Sequence, residues 1–301
     1  MTDLTDADVR EMKGFLSDCC AEVGRWLPGP EWEPGWQSEA ARERANTAQG
    51  PAGPWGKDPV RMVYTAAALF LEAVLQCLRA MGDSLTIETT AYVPNCLARA
   101  AMEAGSQALW LLEPKIGARR RVARFLLIRA SGARYLDKTV RMTDPGASGV
   151  YGETPAAVHA LAAHLGLDCR YRGEGRDKRW WCDTEKLPTY TERNKQLENA
   201  VIMTGAYSIY SASAHAEWHA VMAGWRQIDM TGDQPSILMT RPDRVAVWSP
   251  VFAAASFAVA PASRALGLLD RRARLRDTGY WSENGLQLMR RMDLPREWWA
   301  D

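Results

Sequence analysis

The chain has 301 residues, 47% of them apolar, which is enough material for a large hydrophobic core. A disulfide-stapled miniprotein and a disordered tail are therefore excluded. The 37 basic and 36 acidic side chains leave a formal net charge of +1. The chain as a whole therefore does not attract nucleic acid or an anionic membrane through its net charge.

Apolar residues at helical spacing dominate the chain and predict a mainly α protein. We expect one helical domain over residues 1–301, an antiparallel helical bundle with two small β-hairpin insertions. Thr5 and Asp8 predict a capping box at the start of the first helix, with Leu4 and Val9 as a hydrophobic staple. The predicted helices cover 6–26, 59–81, 94–112, 116–141, 155–166, 189–222, 242–276 with a kink at Pro261, and 282–292.

Three segments interrupt the helical pattern. Residues 168–183 predict a basic hairpin around Gly173 and Gly175, and residues 225–240 predict a second hairpin. Residues 27–57 form a long Pro-, Gly- and Trp-rich excursion, with one polar helical stretch near 39–48. Such a long excursion is typical of a lid or an interface.

The start of the chain predicts a cytoplasmic location, because Met1 is followed by acidic residues rather than by a basic and then an apolar stretch. The six cysteines lie mostly in apolar helical patterns, where reduced thiols are expected. Residues 245–262 are apolar but rely on Ala and contain Pro250 and Pro261. We interpret them as a buried core helix and expect no membrane partner.

Two polar stripes on otherwise apolar helices are the strongest candidates for a site. Arg99 and Glu103 are four residues apart and so share a helix face. A second row recurs every four residues, Tyr207, Ser211 and His215, and His219 continues it. One interpretation is a surface ion pair and a satisfied histidine. The other places the stripes across a groove, where Arg99 holds an anion and His215 moves a proton, with Glu103, Ser211 and Tyr207 as its catalytic partners.

This pair of motifs, Arg99-x-x-x-Glu103 followed by Tyr207-x-x-x-Ser211-x-x-x-His215, resembles bacterial HEPN-like helical families (higher eukaryotes and prokaryotes nucleotide-binding), over about residues 58–222. The resemblance implies a helical bundle, a nucleotide or RNA partner and a homodimer. Active members are metal-independent ribonucleases with an Arg-x4-6-His motif. No arginine precedes any histidine of this chain at that distance, so nuclease chemistry is not expected.

Further candidates for ligand binding lie outside the two rows. The helix from Lys115 to Arg141 is strongly basic, and its Arg120 and Arg124 suit phosphate, although a face balanced by acidic helices elsewhere explains the same pattern. Glu72 lies in an apolar stretch and is expected to be either paired or raised in pKa. Trp110 and the Trp residues of the excursion either line a pocket for an apolar small molecule or fasten loops to the bundle.

Metal and cofactor motifs are not evident. His159, His164, Cys169 and Cys182 outline a zinc site on paper, but a spacing of five residues turns the two histidines about 140° apart on a helix. We therefore predict no metal, and no cofactor, since phosphate loops, nucleophile elbows and aspartate-rich motifs do not occur. Three functions stay open: a HEPN-like nucleotide or RNA binder, a small-molecule enzyme with a Trp-lined pocket and Glu/His acid–base chemistry, and a scaffold without chemistry.

Overall fold

The structure is a computed structural model, which describes residues 3–27, 38–47, 59–89, 91–143, 154–172, 179–201, 203, 205–215, 227–229, 236–238 and 244–268. Helices dominate these residues, so the predicted mainly α class is confirmed. The excursion apart from its helical stretch, the tip of the first hairpin and the predicted helix 282–292 lie outside the described residues.

The described helices and strands follow the predicted order. The helices are α1 Asp6–Trp26, α2 Glu39–Thr47, α3 Pro59–Ser84, α4 Tyr92–Leu111, α5 Ala118–Thr143, α6 Pro155–His164, α7 Tyr190–Val201, α8 Ala206–Ala214 and α9 Arg244–Leu268. The strands are β1 Cys169–Arg172, β2 Arg179–Cys182, β3 Glu185–Lys186, β4 Gln227–Asp229 and β5 Ser236–Leu238. β1, β2 and β3 form an antiparallel sheet in that order, and β4 pairs with β5. Both hairpin strand pairs are therefore present, and β3 is an addition to the prediction.

Local signals fix the start of α1 as predicted. The Thr5 hydroxyl accepts the Asp8 N–H at 3.2 Å, and the Asp8 carboxylate accepts the Thr5 N–H at 2.9 Å. Leu4 and Val9, the predicted staple, are both buried. The capping box supplies hydrogen bonds to N–H groups that have no partner inside the helix.

The prediction of a single helix over residues 189–222 is wrong. Over its described residues this segment is two helices, α7 and α8, separated near Gly205, whose φ of +84° lies in the left-handed region. The Glu198 carboxylate accepts the Tyr207 N–H at 2.7 Å, so a side chain of α7 caps the first turn of α8. Glycine adopts this backbone conformation without strain, which lets the chain turn here.

The buried apolar residues form two clusters. The first lies between α1, α4, α9 and the second half of α3, and the other lies between α5, α6, the first hairpin and the start of α3. α3 and α4 contribute residues to both clusters. Two described helices, α3 and residues 244–265 of α9, are long and apolar enough to cross a membrane. Val247, Trp248 and Phe257 of α9 are fully buried in the first cluster, which is the placement predicted for a core helix.

Candidate functional site

The two predicted rows meet where α4 packs against α8. Arg99 donates from Nε to Glu103 Oε1 at 2.8 Å, and its guanidinium carbon lies 5.7 Å from the centre of the Tyr207 ring. The side chains of Arg99 and Glu103 are 18% and 29% exposed. The predicted contact is therefore present, as a half-buried ion pair against an aromatic ring.

One buried and one partly buried hydrogen bond hold this arrangement in place. Asn95 of α4 donates from its amide to the Ser213 hydroxyl of α8 at 3.0 Å, which ties the two helices together one turn from Arg99. Glu198 holds the Tyr207 backbone from the side of α7. A rigid backbone of this kind positions side chains better than a loop does.

A second arginine, Arg193 of α7, is close enough to the pair for the charge of Glu103 to act on it. It is 4% exposed, donates to the Pro188 carbonyl at 3.1 Å, and its guanidinium carbon lies 4.7 Å from the centre of the Tyr190 ring. Its Nε has no hydrogen-bond partner among the described residues. Burial lowers the pKa of Arg193, while the nearby charge of Glu103 acts in the opposite direction. We call Arg99, Glu103, Arg193 and Tyr207 the polar cluster.

Burial and ion pairing also have opposite effects on the pKa of Arg99. Burial alone lowers the pKa of Arg99, but the hydrogen bond and the charge of Glu103 outweigh it and raise that pKa above its ordinary value. Arg99 therefore stays charged at any physiological pH. The polar cluster holds two permanent positive charges and one carboxylate.

The next residue of α7, Asn194, is fully buried, and neither its amide nitrogen nor its amide oxygen has a hydrogen-bond partner among the described residues. A buried amide without partners costs stability, and such a group in a native structure calls for an explanation. Sequence reasoning missed both Arg193 and Asn194. For Arg193 the available signal was its spacing, because Arg193, Leu197 and Val201 are four residues apart and share a face of α7.

The start of α7 depends on Glu192. Its carboxylate accepts hydrogen bonds from the Thr189 N–H at 2.6 Å and from Arg179 at 2.7 Å, and the Thr189 hydroxyl accepts the Glu192 N–H. The Thr189 hydrogen bonds and the Arg179 guanidinium lower the pKa of Glu192 to about 2, from an ordinary value of 4.5. This capping box sets the beginning of the helix that carries Arg193.

We expect Glu192→Gln to lower the free energy of unfolding at pH 7 by roughly 1 kcal/mol or less, since the carboxylate is half exposed. Because the pKa is lower in the folded protein, the carboxylate stabilises above pH 4.5 and loses this effect as the pH falls toward 2. Urea unfolding of both proteins across this pH range measures the difference. Glu88→Gln, an exposed control, should show no such convergence; a difference that persists at pH 2 would contradict the prediction.

The structure does not bring the predicted proton donor to the ion pair. His215 caps the end of α8, is exposed, and lies eight residues beyond Tyr207, which is about 12 Å along a helix. Ser211, between them, is half-buried. His219 lies outside the described residues.

The predicted phosphate ligands of α5 are already paired. Arg120 and Arg124 both donate to Glu185 of β3, and Arg124 also bonds the Glu113 carboxylate and the Trp110 carbonyl. The Arg124 guanidinium carbon lies 5.0 Å from the centre of the Trp110 ring. Because these charges are balanced by acidic residues of neighbouring elements, they favour the interpretation of α5 as a paired face. Trp110 therefore packs with Arg124 and not with the polar cluster.

The remaining candidates lie apart from the polar cluster. Glu72 forms an exposed ion pair with Arg79 at 2.7 Å. Of the two states expected for Glu72, the structure therefore shows the paired one. His159 packs with its ring centre 5.3 Å from that of Trp180, and His164 is exposed. No group of three or more metal-ligating side chains occurs in the part of the chain that the structure describes. The side chains of Trp26, Trp32, Trp36 and Trp55, which were expected either to line a pocket or to fasten loops to the bundle, lie outside that part.

No family model, no curated protein and no solved structure matches this chain. Guanidinium groups recognise carboxylates and phosphates through paired N–H donors. Two such groups beside one carboxylate and one phenol suit the binding of an anion.

Proposed function

We propose that this chain binds a phosphate-bearing small molecule, specifically a nucleotide, at the polar cluster between α4, α7 and α8. The observation that carries the proposal is Arg193, a buried guanidinium with a donor that no described residue satisfies. Buried charges in proteins are normally paired, and an anionic ligand supplies the missing acceptor. Arg99, half-buried and nearer to solvent, is the second phosphate ligand.

The charges around the polar cluster support an anion rather than a cation. Glu103 supplies the one carboxylate of the cluster. It accepts a hydrogen bond from Arg99, and its charge also acts on Arg193. Nearby, Glu192 bonds Arg179 and Glu198 bonds the Tyr207 N–H. Within the polar cluster itself, two guanidinium groups lie beside one carboxylate, and their N–H donors suit an anionic acceptor.

A small ligand fits better than a long RNA. RNA binding needs a row of cations along the phosphate backbone, and Arg120 and Arg124 of α5 are paired with Glu185. The proposal keeps the nucleotide binding implied by the HEPN-like resemblance and leaves out ribonuclease chemistry. It also leaves His215 out of the binding site, because of its distance along α8 from Tyr207.

The proposal also covers the arrangement of the helices. We propose that α1, α3, α4 and α9 form an antiparallel bundle around the first apolar cluster, to which each of them contributes. The short connection over residues 85–91 supports it, because so few residues return the chain beside α3. α7 and α8 then cover α4 and complete the polar cluster.

We expect Arg193→Met and Arg99→Met each to weaken nucleotide binding at least tenfold, as the loss of a charge-assisted hydrogen bond predicts. Isothermal titration calorimetry with AMP, ADP, ATP and inorganic phosphate measures the affinities. Met keeps much of the volume of Arg, so the packing around each side chain is largely preserved. Arg10→Met, which removes an exposed charge from α1, is the matched control.

The control variant should bind as the wild type does, and all three variants should retain the wild-type circular dichroism. Failure of every nucleotide to bind the wild-type chain, or equal affinity in the wild type and in both site variants, would refute the proposal. Tight binding of a single-stranded RNA oligonucleotide without binding of mononucleotides would favour the RNA alternative.

A further inference from the structure

Cys169 and Cys182 lie directly opposite each other on β1 and β2. The adjoining pair shares a backbone hydrogen bond, in which Asp183 N–H donates to the Asp168 carbonyl at 3.0 Å. Because hydrogen-bonded and non-hydrogen-bonded pairs alternate in an antiparallel ladder, the cysteines occupy a non-hydrogen-bonded position. Opposite Cα atoms at such positions are about 4.5 Å apart, within the range that a disulfide spans.

A second backbone hydrogen bond confirms this position independently. Trp180 accepts the Leu187 N–H at 2.9 Å, so its carbonyl points toward β3 and away from β1. Cys182, two residues further along β2, has the same orientation. Its backbone therefore does not bond Cys169, and the two side chains are free to approach each other.

Both thiols face the protein interior together. Cys169 and Cys182 are buried, free, and share the face of the sheet that packs in the second apolar cluster. They are in hydrogen-bond contact: the Cys182 S–H donates to the Cys169 sulfur, which lowers the pKa of Cys169 and raises that of Cys182. The thiolate is the reactive form of a cysteine, and the hydrogen bond from Cys182 favours that form at Cys169.

We propose that Cys169 and Cys182 form a reversible cross-strand disulfide, a redox modification site on the β1–β2 hairpin. The oxidant is a peroxide. The Cys169 thiolate attacks one peroxide oxygen, the O–O bond breaks, and the leaving hydroxide takes up a proton to give water and a Cys169 sulfenic acid. The Cys182 sulfur then attacks the Cys169 sulfur, the S–O bond breaks, and hydroxide leaves with the Cys182 proton as a second water.

The two sulfurs are oxidised and the peroxide is reduced, so hydrogen peroxide and two thiols give one disulfide and two waters. A dithiol reverses the change by two thiol–disulfide exchanges. The disulfide fixes β1 to β2 beside β3, where Glu185 holds Arg120 and Arg124. The proposal is independent of nucleotide binding, because none of these residues belongs to the polar cluster.

Peptide mapping tests the proposal on the full chain. The native protein is treated with hydrogen peroxide, blocked with an alkylating agent and digested with trypsin without reduction. Trypsin cuts after Arg170 and Arg179, so the two cysteines fall in separate peptides, residues 142–170 and 180–186. We expect these two peptides to appear as one linked species that dithiothreitol separates, and the free thiols to fall from six by two.

Cys169→Ala and Cys182→Ala should each abolish the linked species, while Cys77→Ala, a half-buried cysteine of α3, should keep it. Linkage of either peptide to Cys19 or Cys20, a link between chains, or full retention of both thiols after peroxide treatment would overturn the proposal. Mapping of the wild-type chain decides the matter even if an alanine variant fails to fold.

Discussion

Replacing Arg121 by alanine is expected to lower the free energy of unfolding by about 3–5 kcal/mol, the usual cost of breaking a buried ion pair from one side. Its side chain is completely buried. It bonds Glu43 at 3.0 Å, Glu39 at 3.1 Å, and the carbonyls of Leu111 and Glu113 at the end of α4. Alanine would take the guanidinium away from the buried Glu43 carboxylate, which also accepts a hydrogen bond from the Tyr64 hydroxyl at 3.3 Å.

Arg79→Ala is the matched control, because Arg79 forms its ion pair with Glu72 at the surface. Exposed pairs contribute about 0–1 kcal/mol, so this variant should unfold close to the wild-type midpoint. Chemical unfolding followed by circular dichroism measures both. If both variants lowered the free energy of unfolding equally, the burial of Arg121 would not contribute to stability, and the prediction would be wrong.

Gly105→Ala is expected to destabilise the protein by about 1–3 kcal/mol, the range for overpacked cores. A Cβ at this position would lie 2.7 Å from the Phe257 carbonyl oxygen of α9 and 3.4 Å from a Leu197 methyl group of α7. The first contact is with backbone, so one helix must shift to relieve it. α4 and α9 approach each other this closely only because position 105 has no side chain.

Gly132→Ala on α5 is the control, since a Cβ there meets nothing within 4 Å. In a helix interior, alanine is favoured over glycine by about 0.5–1 kcal/mol. The two identical substitutions should therefore change the thermal midpoint in opposite directions. A stabilised Gly105→Ala protein would mean that α4 and α9 are less closely packed than the structure shows.

Helix positions were predictable where the determining interactions are local. The capping box of Thr5 and Asp8, and the Thr154–Pro155 start of α6, use residues within one turn of each other. The break between α7 and α8 was not predictable in this way. A single glycine inside a helical pattern costs only about 1 kcal/mol, and the capping carboxylate of Glu198 is nine residues before the N–H that it accepts.

Only part of the candidate site was predicted from the sequence. Spacing along one helix identified Arg99 with Glu103, and the row containing Tyr207 was placed opposite, where the structure has it. Arg193 was missed because a charged residue on a polar helix is usually solvated, and only tertiary packing buries it. His215 shares the spacing of the row, but spacing does not show where α8 ends.

Because α3 and α4 each contribute to both apolar clusters, the two clusters are not independent folding units. Local opening of the cluster around α5 would leave the end of α4 unsupported and would fray the same helix that carries Arg99. The proposed nucleotide site on α4 therefore depends on the hydrogen bonds that Arg121 of α5 forms at the far end of this helix, because only molecules in which α4 is fully ordered present the site. The stability of the second apolar cluster is then a condition for the proposed binding beside the first.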